Sequence, residues 1–101
     1  MDVNDLASRL GIDEEDFLEL IELFIATSLA DMEKIRKALE AGSSADAAAA
    51  AHSIKGASGN LGLDEMYNLA KDMEMQAKDG NLDGFEKMAA DLEQQINALN
   101  S

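Results

Sequence analysis

No proline occurs anywhere in the chain of 101 residues, so glycine is the residue left to stop a helix abruptly. Ala, Leu, Glu, Met and Lys dominate, while β-branched and aromatic residues are too few to build a sheet. Helix is therefore the expected state, and the glycines divide it. Val3 to Leu10 reads as a short helix stopped by Gly11. From Asp13 to Ala41, Phe17, Ile21, Phe24, Ile35 and Leu39 recur with the period of one buried helical face, with Leu20 and Met32 on the same stripe; Gly42 ends that helix. Ser43 and Ser44 offer an N-cap for a helix through the alanine run, closed by Gly62. Asp64 opens the next, carrying Met66, Tyr67, Ala70, Met73 and Ala77 and ended by Gly80; Leu82, Phe85, Met88, Leu92, Ile96 and Leu99 mark a last one. Short connections between helices of similar length imply antiparallel neighbours. The expected fold is all-α, an antiparallel up-down four-helix bundle with a short N-terminal helix as a lid, forming one domain over residues 1–101.

Charge narrows the partners. Eight Lys plus Arg stand against 21 Asp plus Glu, a formal charge of −13, and repulsion at that level disfavours nucleic acid and anionic membrane surfaces. The absence of cysteine removes disulfides, thiol catalysis and thiolate metal sites. MDVNDLASRLG lacks the basic start and apolar run of a signal peptide, and no stretch approaches the roughly 18 apolar residues that span a bilayer. A cytoplasmic monomer is the expectation.

The stretch AAAAAHSIKGASGNLG, residues 47–62, holds the only histidine of the chain. At about 100° per residue, Ala45, Ala48, Ala49, Lys55, Gly56 and Gly59 fall within about 60° of His52, whereas Ala50, Ile54, Ala57 and Leu61 point the other way. His52 is thus expected on the face away from the core. Between Ala45 and Gly62 the formal charges are Asp46 and Lys55 alone, so this face reads as flat, nearly neutral and kept clear of acids. Gly56 and Gly59 each cost about 1 kcal/mol relative to Ala inside a helix. Close approach by another molecule is a reason to keep them, which marks Ala45, Ala48, Ala49, Gly56 and Gly59 as a docking surface.

An imidazole on such a surface could bind metal, act as a base or act as a nucleophile. A metal site wants a second ligand three or four residues away, where Ala48, Ala49, Lys55 and Gly56 stand. Hydrolysis lacks parts, since Ser53 and Ser58 lie off the histidine's face and a convex helix offers no pocket. Nucleophilic attack on a group brought by a partner remains, with Lys55 one turn on to offset phosphoryl charge. An exposed histidine beside alanine, with no role, stays open on periodicity alone.

AHSIKGASGNLGL resembles the signature of histidine-containing phosphotransfer (HPt) domains: histidine, an aliphatic residue, lysine, glycine, small residues and a further glycine, here His52, Ile54, Lys55, Gly56, Ala57, Ser58 and Gly62. The resemblance extends to GIDEEDFLELIELFIATSLADMEKIRKAL upstream and MYNLAKDMEMQAKDG downstream. It implies a four-helix bundle that takes a phosphoryl group from the aspartyl phosphate of a receiver domain and gives it to another receiver. Carried over by position, His52 is the phosphoacceptor, Lys55 the charge-stabilising neighbour and Gly56 the spacer. The implied partners are response-regulator receivers and a hybrid histidine kinase. The receiver brings the Mg²⁺, so no cofactor or metal of the chain's own is expected, and a carrier rather than an enzyme is implied. HSIKG is also the core string of the phosphoacceptor domain of chemotaxis kinases, which is phosphorylated directly by an ATP-binding domain.

Readings from other classes are weaker. DGNLDG, Asp79 to Gly84, matches the start of a calcium loop with Asp79, Asn81 and Asp83. Yet the twelfth place, which needs a bidentate glutamate, is Ala90, and Glu86 occupies the aliphatic place. A helical interaction module using exposed methionines is the other alternative. Met66, Met73 and Met88 lie on apolar stripes, which leaves Met75 as the one expected partly exposed. An acyl carrier protein would need an Asp-Ser-Leu attachment motif, which the sequence lacks.

Overall fold

In the computed structural model, which describes residues 2–100, the chain forms five helices and no strand among those residues: α1 (Val3–Leu10), α2 (Glu14–Ala41), α3 (Ser44–Asn60), α4 (Asp64–Lys78) and α5 (Phe85–Ala98). Their ends follow local chemistry. The Asp2 carboxylate accepts from the Asp5 N–H and the Ser43 hydroxyl from the Asp46 N–H, each satisfying a backbone donor that has no partner within its helix. Gly42 takes a left-handed conformation (φ 67°), in which its N–H returns to the Ala38 and Leu39 carbonyls and the chain turns out of α2.

Helices α2, α3, α4 and α5 form a closed ring of neighbours, α2 on α3, α3 on α4, α4 on α5 and α5 on α2, with α1 packed on α2. Phe17, Ile35, Ile54, Met73, Phe85, Leu92 and Ile96 fill the centre with side chains removed from solvent. Burial of each contributes about 1.5–3 kcal/mol, which is a main part of what holds the ring together.

The alanine run serves a different purpose from the one its sequence suggests. Ala47, Ala48, Ala50 and Ala51 are buried, and Ala70 and Ala77 of α4 are buried as well. Small side chains on both helices let α3 and α4 approach closely, and that approach brings residues of α4 to the rim of His52.

Two expectations need correction. The helices are not of similar length: α2 has 28 residues against 14 to 17 in the other three helices of the ring. At about 1.5 Å per residue it spans the 42 Å long axis of the molecule. Leu20, placed on the buried stripe by spacing, is 42% exposed, and Leu18 and Leu23 are exposed beside it. A 17-residue neighbour is about 26 Å long and does not flank all of α2, and α1 covers only part of the remainder. Met75 is exposed, as its position off the stripe implies.

Candidate functional site

Helix α3 carries His52 on its outer side, with the side chain 66% exposed. Ile54 beneath it is buried and fixes the rotation of the helix. The imidazole is not isolated. Its Nδ1 lies 2.8 Å from Oε2 of Glu74 on α4, and that glutamate side chain is only 4% exposed. Lys55 Nζ sits 2.6 Å from the other oxygen, Oε1, and Lys78 Nζ lies 3.2 Å from Oε2. One buried carboxylate therefore gathers a histidine and two lysines.

The carboxylate's proton affinity follows from those partners. Hydrogen bonding from Lys55 is the largest influence; burial opposes it, and Lys78 and His52 add to it, holding the Glu74 carboxyl down at about 2 against an ordinary 4.5. Glu74 is thus ionised at neutral pH and can only accept. In the neutral form of the ring, the proton between Nδ1 and the ionised carboxylate belongs to Nδ1, which leaves a lone pair on Nε2. A ring with Nδ1 tied to a buried carboxylate and Nε2 free is oriented for attack on a group arriving from outside.

Glu74 is the functional residue that sequence reasoning missed. Its position relative to Ala70 and Ala77, four residues on and three back, sets it at the edge of the apolar stripe of α4, where a carboxylate needs a partner. That was the available signal. The face around His52 is accordingly not clear of acids, because α4 supplies one across the helix pair.

The remaining expected site residues separate. Ala45 and Ala49 are exposed beside His52, and a Cβ added at Gly56 meets nothing within 4 Å. Ala48 is a correction: at 8% exposed it is packed toward α4 and forms only the floor of a shallow open groove lined also by Ser44, Ala45, Ala49, His52, Glu74, Ala77 and Lys78. Gly59 is exposed, and a Cβ there would stand 3.0 Å from Cδ1 of Tyr67, so its missing side chain also makes room for a ring of the same molecule. Lys55 is 24% exposed, with its amine on the buried carboxylate rather than free above the surface. On the α2 side of the same helix, the Ser53 hydroxyl donates to the Asp31 carboxylate at 2.8 Å, a tie between α2 and α3.

The Asp79–Gly84 segment is a turn held by its own polar groups. The Asn81 side-chain oxygen accepts from the Asp83 N–H, and Gln76 donates to the Asp83 carbonyl. Among the described residues no group of three or more His, Asp or Glu is placed to hold a metal ion, and no helix is long and apolar enough to cross a membrane.

A helical module that offers a solvent-facing imidazole at the edge of a shallow open groove presents a nucleophile to groups arriving from outside. Its class is that of the histidine phosphocarriers of two-component phosphorelays. The Hpt domain model matches residues 19–101, and the chain belongs to the Hpt domain family. Domains of this family transfer phosphoryl groups through histidine, work with receiver and kinase partners, and are carriers rather than catalysts. Neither the curated proteins nor the solved structures gave a match to the chain.

Proposed function

We propose that His52 is the phosphoacceptor of a multistep relay, taking a phosphoryl group from a receiver's aspartyl phosphate and passing it to a second receiver. The observation that carries this reading is the 2.8 Å contact of His52 Nδ1 with the buried Glu74 carboxylate, which leaves Nε2 free on the exposed side. In the transfer, the Nε2 lone pair forms the N–P bond as the P–O bond of the acyl phosphate breaks, and the electron pair leaves with the receiver's carboxylate. The Nδ1 proton stays on the ring, facing Glu74, and offsets the phosphoryl charge. Return transfer reverses each bond change. Open space over Gly56 supports approach by a receiver, since reacting atoms must come within roughly 3–3.5 Å. On this reading the Mg²⁺ belongs to the receiver's acidic pocket.

The closed ring of α2 to α5, joined by short links, supports an antiparallel up-down bundle with α1 beside one end of α2. The unit is read as one domain over 1–101, of which Met1 and Ser101 lie outside the described residues. Incubation with labelled receiver phosphates tests the function. Label moves to the chain in an acid-labile, base-stable form and fails to move to His52→Gln; transfer to that variant overturns the assignment.

A further inference from the structure

Resting on the reading of His52 as phosphoacceptor, we infer that Lys78 of α4 is the cation that meets the phosphoryl group on His52, while Lys55 serves to hold Glu74. Side chains on an α-helix lean toward its N-terminus, which carries the His52 ring toward the turn that contains Ala48 and Ala49. The open groove agrees: its lining includes Ala45, Ala48, Ala49, His52 and Lys78. A group on Nε2 projects into or above that groove, where three alanines leave room.

The two lysines are held differently. Lys55 Nζ is 2.6 Å from Glu74 Oε1 and its side chain is 24% exposed. Its departure would strand a buried carboxylate, which resists the exchange. Lys78 is 66% exposed and contacts Oε2 at 3.2 Å, the same oxygen that accepts from His52 Nδ1. Both Lys78 and the imidazole therefore lie within about 3 Å of one atom. With the Lys78 amine largely in water and farther from the carboxylate than Lys55, its pair with the residue four back on the helix is the weaker of the two, and a phosphoryl group bearing up to two negative charges competes well for that amine. Lys78 can turn to it while Lys55 and the ring keep Glu74 satisfied.

The charge near the phosphoryl group can be read directly from its own titration. The intact chain is phosphorylated with phosphoramidate: the Nε2 lone pair forms the N–P bond, the donor's P–N bond breaks, and its nitrogen takes a proton from water and leaves as ammonia. The ³¹P resonance of the phosphohistidine is then followed against pH in the parent, Lys78→Ala, Lys78→Arg and Lys55→Ala. A nearby ammonium favours the dianion, so Lys78→Ala raises the titration midpoint by about 0.5 pH, about a threefold gain in proton affinity. Lys78→Arg restores the parental midpoint, and Lys55→Ala changes it less than Lys78→Ala does. A midpoint unmoved by Lys78→Ala, or moved as far by Lys55→Ala, overturns the assignment of Lys78. A phosphorus signal that persists in His52→Gln instead overturns the phosphoacceptor reading itself.

Discussion

Replacing Glu74 by Gln tests the buried carboxylate as the organiser of the site. The change keeps the side chain's shape and one acceptor oxygen but removes the charge that Lys55, Lys78 and His52 share. The folded state holds this carboxyl at about 2 against 4.5 for the free side chain. A folded pKa below the unfolded one means stability that is fully present above about pH 4.5 and is lost as pH falls toward about 2. At about 1.4 kcal/mol per tenfold change in proton affinity, the gap gives an upper bound of about 3.5 kcal/mol. Lys78 and His52 stand largely in water, so screening lowers the expected contribution to about 1–2 kcal/mol. Urea denaturation of the parent and Glu74→Gln at several values between pH 3 and 7 isolates it, because the other carboxyls titrate in both chains. The parent is more stable at pH 7 by about that amount, and the difference narrows as pH falls below about 4.5. A difference independent of pH, or a variant more stable than the parent at pH 7, refutes the reasoning.

Other substitutions separate docking from packing. Gly56→Leu leaves stability equal or higher by under about 1 kcal/mol, since helix propensity improves and the site is open; transfer from a receiver falls at least about tenfold, as read by label exchange. Gly59→Leu does the reverse to the fold, lowering stability by about 1–3 kcal/mol in thermal melts because Tyr67 already occupies the space. Ser28, whose buried hydroxyl has no hydrogen-bond partner among the described residues, gives a third case: Ser28→Ala raises stability by about 1 kcal/mol in the same melts.

Helix boundaries were legible because glycine and caps act through nearest neighbours. Gly11, Gly42 and Ser43 mark the ends of elements by chemistry that needs no tertiary context, and Asp64 opens α4 as a first-turn acid without a capping bond. Burial was less so. Periodicity places Leu20 on a stripe but carries no information on whether a neighbouring helix extends that far. His52 and its outward face were readable from a single helix, as was the open space at Gly56. Glu74 and Lys78 were not, because they come from a different helix, and their meeting with His52 depends on how closely α3 and α4 pack. Gly59 shows the same limit in reverse: a missing side chain signals close approach, and only the packed structure reveals that the approaching group is Tyr67 of the same chain.

The central claim concerns one atom, Nε2 of His52, and nitrogen NMR of the phosphorylated, ¹⁵N-labelled chain addresses it most directly. The account predicts phosphorus coupled to Nε2 with the proton retained on Nδ1 toward Glu74. Phosphorus on Nδ1, or on any residue other than His52, contradicts it.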